Sequence, residues 1–299
     1  TGAVTYHAIG PTTCVQSGFA CALAVTPSDG GSATWRGLLP NNMTIQRNRF
    51  YKPPFWETQY PQGCKLYIEF KQADTVLIEG NIFEGAGCGA ITFETKGSLG
   101  NNAGPWAVIQ NVTVRSNIFY TRATTVYTPL LDYEQTSTPG NNILWTNNLH
   151  IGVPPSTSGV TLQAMLQTGN GGHDVTFTHN TFRNANGPGA LNYWGGGAGV
   201  SGGQDQGQTN FTFRDNIADF SFYGNNYQGI APSVAFPPSG MVEDHNLIIK
   251  DTPNPVNTCG ATNYYNNSTC VTNSAAVGFV DIAVCDNGSN YHGCGLASS

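Results

Sequence analysis

Charge is scarce in this chain. Of 299 residues only 10% are Asp, Glu, Lys or Arg, with 12 basic against 18 acidic side chains and a formal net charge of −6. Soluble domains average about 25% charged residues. No basic run occurs, so neither nucleic acid nor an anionic membrane is an expected partner. Few Lys and Glu also argue against long solvent-exposed helices. No apolar run approaches the ~18 residues of a membrane span, so none is expected. No signal-peptide pattern opens the sequence, which reads as a mature or trimmed form. CxxC and CxxCH are missing, and zinc-ribbon, thioredoxin-like and haem-attachment readings go with them.

What is present is glycine, 37 of them, with recurrent Asn, Thr and Ser. Solubility rests on neutral polar groups. The eight cysteines fall into near neighbours: Cys14 with Cys21, Cys64 with Cys88, Cys259 with Cys270, and Cys285 with Cys294. An even number without metal spacing reads as a disulfide framework in an oxidising, extracytoplasmic compartment, with the connectivity left open. Asn-x-Ser/Thr sequons stand at Asn42, Asn111, Asn210, Asn266, Asn267 and Asn287; in so Asn- and Thr-rich a chain, most are expected by chance.

One pattern recurs seven times: MTIQRNRF (43–50), VLIEGNIF (76–83), VTVRSNIF (112–119), ILWTNNLH (143–150), VTFTHNTF (175–182), FTFRDNIA (211–218) and MVEDHNLI (241–248). Aligned on one asparagine, these give Asn48, Asn81, Asn117, Asn148, Asn180, Asn216 and Asn246, at intervals of 33, 36, 31, 32, 36 and 30 residues. Five and three residues before each asparagine the side chains are mostly apolar, the alternation of a half-buried strand. An apolar residue returns two positions after it, as in Phe50, Phe83, Phe119 and Phe182. The asparagine, placed where the strand ends, is expected to take the bend and to hydrogen-bond to its counterpart in the next repeat.

Strands at this interval with no amphipathic helix between them predict an all-β chain, a right-handed parallel β-helix of about seven coils with an asparagine ladder, roughly 35 Å tall at ~4.8 Å per coil. Secondary strands are expected at 66–70, 90–94, 129–134, 164–168 and 190–194, forming another face. The outward column two residues before the asparagine pairs Glu79 with Arg115 and Arg214 with Asp244, opposite signs in adjacent coils. Glu243 takes a core position and marks the end of the regular stack. The expected organisation is a flanking segment over 1–36, the β-helix over 37–250, and a disulfide-rich capping segment over 251–299 that covers exposed strand edges.

The stretches NNMTIQRNRFYKPPFW, VLIEGNIFEG and GPWAVIQNVTVRSNIF resemble the secreted right-handed parallel β-helix repeat proteins of soil bacteria, particularly Acidobacteriota, within the broad pectin-lyase-like superfamily. The resemblance covers roughly residues 37–281; residues 1–36 do not follow the pattern. It implies an extracellular location and, as the commonest role in the superfamily, carbohydrate contact. A fold does not by itself license an activity.

No complete catalytic signature is found. The chain has no Asn-Thr-Asp and no Asp-Asp pair, and His292-Gly293 is a fragment of a Gly-His-Gly. No DxD-type run marks a Ca²⁺-dependent lyase site. A glycosidase needs two carboxyls about 5–10 Å apart. The best candidates lie on the secondary strands: Glu69, Glu94, Asp132 and Glu134 as catalytic acids, with Lys71, Lys96, Arg122 and Tyr133 as substrate-binding neighbours. The alternative is a solvated ladder of charges on an outer sheet. No cofactor is expected, Ca²⁺ on this acidic cluster being the one ion the pattern would admit. His179 and His245 share a repeat position two coils apart, ~9.6 Å, too far to share a metal with His173 without distortion. The run GGGAGVSGGQDQG (195–207) lacks the Lys-Ser/Thr ending of a phosphate loop and reads as a linker. Two functions follow as expectations. One is an extracellular polysaccharide-interacting protein, a lyase or glycoside hydrolase of acidic polysaccharide if catalytic. The other is a non-catalytic structural or surface protein that self-associates into a filament or layer.

Overall fold

The computed structural model describes residues 40–51, 67–70, 72–84, 90–95, 108–121, 130–133, 140–152, 166–168, 173–183, 191–193, 209–219, 241–249, 268–271 and 277. Twenty strands appear among them. In chain order the first ten are β1 (Asn41–Gln46), β2 (Arg49–Tyr51), β3 (Ile68–Phe70), β4 (Ala73–Glu79), β5 (Ile82–Glu84), β6 (Ile91–Thr95), β7 (Ile109–Arg115), β8 (Ile118–Thr121), β9 (Leu130–Tyr133) and β10 (Asn141–Thr146). The others are β11 (Leu149–Gly152), β12 (Leu166–Thr168), β13 (His173–Thr178), β14 (Thr181–Arg183), β15 (Leu191–Tyr193), β16 (Thr209–Arg214), β17 (Ile217–Asp219), β18 (Met241–Asp244), β19 (Leu247–Ile249) and β20 (Thr269–Val271).

These strands form three sheets. The first runs β1-β4-β7-β10-β13-β16-β18, the second β2-β5-β8-β11-β14-β17-β19-β20, and the third β15-β12-β9-β6-β3. The pairings are parallel, and strands of one sheet are neighbours when they come from successive repeats. This all-β arrangement of stacked parallel sheets is consistent with a parallel β-helix. The five expected secondary strands are the third sheet. The short second sheet was visible in the sequence only as one apolar position after each asparagine.

Register follows the asparagine alignment. Met43 pairs with Val76, Val76 with Val112, Val112 with Ile143, Ile143 with Val175, and Val175 with Phe211. The column two residues on reads Ile45, Ile78, Val114, Trp145, Phe177 and Phe213, and from Ile78 onward each member is almost wholly buried. Burial of that apolar area, ~25 cal/mol per Å², drives the stacking. A column of rings fills the core behind the second sheet: Phe50 lies on Phe83 at 4.7 Å and Phe83 on Phe119 at 4.8 Å, centroid to centroid and nearly parallel.

The asparagines form the expected file, and the file has a polarity. The Oδ1 of Asn81 accepts from both the backbone N–H (2.9 Å) and the side-chain Nδ2 (3.1 Å) of Asn48. The same two bonds run from Asn81 to Asn117, Asn117 to Asn148, Asn148 to Asn180, Asn180 to Asn216 and Asn216 to Asn246. From Asn81 onward each Nδ2 also reaches back to a core-strand carbonyl of the preceding repeat, as from Asn148 to Val114 at 2.9 Å. Six of the seven are about 1–2% exposed, and Asn48 at the end is exposed. An amide so buried is tolerable only because its donors and acceptor are engaged.

The bend falls one residue earlier than expected. The asparagines do not adopt positive φ; the residues before them do: Arg47, Gly80, Ser116, Asn147, His179, Asp215 and His245, at 52–64°. A second left-handed column lies near the start of six core strands, at Asn42, Thr75, Asn111, Asn142, Asp174 and Asn210, at 51–56°. The ladder asparagine is therefore a buried clamp on a bend made by its neighbour.

Glu243 is buried at the core position, opposite Phe213. Among the described residues β18 is the last strand of the first sheet, but the second sheet continues by one strand. There β20 pairs with β19, and the backbone N–H of Asn246 donates to Ser268 Oγ at 3.1 Å, ending the file. Cys270 on β20 is disulfide-bonded. Its expected pairing with Cys259, and the other three expected pairs, lie outside the described residues, as does segment 1–36.

Candidate functional site

The third sheet carries the acids singled out in the sequence. Its inner face is set by Ile68 paired with Ile91 and Phe70 with Phe93, all buried. Alternation along a strand turns Glu69 outward, and it is exposed. Glu69 pairs with Thr92, not with Glu94. Glu94 instead pairs with Asp132, and Thr95 with Tyr133. Adjacent parallel strands thus put Glu94 and Asp132 side by side at a backbone spacing of ~4.8 Å. Glu69 stands one strand away and displaced by two residues along it. Glu134, Lys71, Lys96 and Arg122 lie outside the described residues.

The outward face of the first sheet is a ladder of polar contacts. Arg115 donates to Glu79 at 2.6 Å, and Gln46 donates to the same carboxylate at 2.5 Å. The guanidinium of Arg115 lowers the pKa of Glu79. Arg214 pairs with Asp244 at 3.4 Å and with Asp215 at 3.2 Å. Both pairs expected from the column of alternating sign are therefore present. Asp74 accepts from Asn111 at 2.7 Å and Gln110 at 2.9 Å, which lowers its pKa, Asn111 contributing most. Asp174 takes the same role one face-column along, with His173 first and Asn210 second. These carboxylates are engaged in holding neighbouring repeats in register.

His179 and His245 sit at the exposed left-handed bends before Asn180 and Asn246, two strands apart in the first sheet. His179 contacts Thr178 Oγ1, and His245 contacts Asp244 at 3.2 Å. Among the described residues no group of three or more His, Cys, Asp or Glu could hold a metal ion.

Two internal polar sites were not read from the sequence. Glu84 is 4% exposed and receives Arg49 from the neighbouring strand, at 3.0 Å and 2.5 Å to one oxygen. The Tyr67 hydroxyl donates to the Glu84 backbone carbonyl. The other is His150, which takes the ring-column position filled elsewhere by Phe50, Phe83, Phe119 and Phe182. It stacks on Phe119 at 4.5 Å and on Phe182 at 4.6 Å, and its Nε2 accepts from the Trp145 indole N–H at 3.0 Å. Burial drives its pKa down to about 3. The signal was in the alignment: ILWTNNLH ends in His where its neighbours end in Phe.

No family model, no curated protein and no solved structure matches this chain. The resemblance to pectin-lyase-like repeat proteins rests on the quoted motifs alone. Among the described residues no helix is long and apolar enough to cross a membrane.

Proposed function

We propose that this protein is an extracellular right-handed parallel β-helix of about seven coils, related to the pectin-lyase-like repeat proteins. Its third sheet contacts and cleaves an acidic polysaccharide. The observation that carries this reading is the pairing of Glu94 with Asp132. Two acids on adjacent parallel strands have a backbone spacing of ~4.8 Å, close to the about 5–5.5 Å separating the carboxyls of a retaining glycosidase. One carboxyl would protonate the leaving oxygen while the other attacks or stabilises the sugar. A flat parallel wall with a ~4.8 Å rise also suits an extended chain lying along the stack. Ca²⁺ bridging these acids to uronate groups is the accompanying cation in this reading.

The test is depolymerisation of a panel of plant and microbial polysaccharides, polygalacturonate and alginate included. Turnover by the full chain, lost in both Glu94→Gln and Asp132→Asn at unchanged melting temperature, supports the reading. Undiminished turnover in both variants overturns it.

A second reading has its own observation. Among the described residues β1 and β2 at one end, and β20 at the other, pair on one side only. Such edges favour end-to-end stacking of copies, the behaviour of a structural surface protein. Regular filaments in negative stain, with no turnover of any polysaccharide, would favour this second role.

A further inference from the structure

We propose that His150 is an acid-sensitive joint in the stack: acid favours opening of the repeat that carries it, because Nε2 holds a proton only where its bond to Trp145 is broken. The geometry fixes the sequence of events. Because the Trp145 indole can only donate, the Nε2 that faces it must be unprotonated, and the ring proton of neutral His150 resides on Nδ1. That Nδ1 is buried and, among the described residues, has no hydrogen-bond partner. The neutral ring therefore already leaves one donor unsatisfied. Protonation at Nε2 sets two N–H groups against each other and puts a charge on a buried ring stacked between Phe119 and Phe182.

Among the described residues, the contacts of the ring bring no charge to it. The strands packed on the ring present Phe119 from β8, Trp145 from β10 and Phe182 from β14. None of these titrates. On β14, Arg183 follows Phe182, so alternation turns it to the opposite face. On β13, His173 and Asp174 engage each other at 2.8 Å on the outer side of the first sheet. Burial is the sole cause of the lowered pKa. Well above pH 3 the ring takes a proton only where its repeat opens to water, a local unfolding of the kind that spans contiguous structural units.

The expected size follows from linkage. With a pKa of 6.5 when open and about 3 when closed, the open fraction rises about 100-fold between neutral pH and pH 4.5. The test is hydrogen exchange by mass spectrometry on the full chain at pH 7.5 and 4.5, corrected for the intrinsic pH dependence of exchange. Peptides over 141–152 are compared with those over 73–84 and 209–218, in wild type and His150→Phe. Opening that rises about 100-fold over 141–152 in wild type and stays flat in His150→Phe supports the proposal. An equal response in both proteins, or an equal response in every repeat, overturns it. Should His150→Phe not fold, the ¹⁵N shifts of the wild-type imidazole decide. A neutral Nδ1–H ring persisting below pH 5 supports the joint, and a ring titrating near its ordinary value in the folded protein refutes it.

Discussion

Inside the stack each ladder asparagine does what no other side chain of its size can. One carbonyl oxygen receives two donors from the preceding repeat, and the amide nitrogen reaches both the next repeat and a strand carbonyl. Removing one leaves several groups unsatisfied at once, each costing about 1–3 kcal/mol when buried. Asn148→Ala strips partners from the Asn117 backbone N–H, the Val114 carbonyl and the Asn180 side chain. We expect it to lower unfolding stability in urea by about 3 kcal/mol. Asn48→Ala, at the exposed end, should cost less than about 1 kcal/mol. Equal losses at the two positions would show that the file does not run as described. At the bends, Gly80 has φ of 64° and an added Cβ would meet only Arg47 Cγ, at 3.7 Å. Gly80→Ala should therefore cost roughly 1 kcal/mol by backbone strain alone. The asparagines were legible because one residue type recurs at a steady interval. The bends were not, because Arg, Gly, Ser, Asn, His and Asp all occupy them; the requirement there is a backbone angle, which leaves no single side-chain signature.

The strands differ in how visible they were. Those of the first sheet span up to seven residues with clear alternation, and the third-sheet strands were short apolar runs in the right places. The second-sheet strands are mostly three residues, too short for periodicity to register. Register within the third sheet was the finer miss: composition put Glu69, Glu94 and Asp132 in one cluster, while pairing separates Glu69 from the other two. Between strands, the Glu79–Arg115 pair is solvent-exposed, so a double-mutant cycle should return a small coupling that declines with salt. Asp74 offers a pH test. Its pKa is lowered in the folded state, so it adds stability above its ordinary value of 3.8 and loses that contribution as pH falls through the lowered value. Asn111→Ala removes the largest cause of the shift. In that variant the carboxyl, followed by NMR, should titrate closer to 3.8 than in wild type.

For the molecule as a whole, seven repeats share one axis of hydrogen bonds and one file of asparagines, and the first five share one column of rings. Loss of any repeat in the middle interrupts all three, whereas loss at an end shortens them. Such a stack is stabilised by nearest-neighbour contacts, and His150 places its acid-sensitive point in the fourth repeat rather than at an end. The central claim is that successive repeats lie in parallel, in register, at one spacing. Electron–electron dipolar spectroscopy tests it, with bio-orthogonal spin labels at three outward positions of the first sheet, Thr44, Thr176 and Val242. Thr44 and Thr176 are four strands apart, and Thr44 and Val242 six. In-register stacking requires mean distances of about 19 Å and about 29 Å, a rise of ~4.8 Å per strand. Distances that fail to grow in that proportion would contradict the parallel stack and with it the pairing of Glu94 with Asp132.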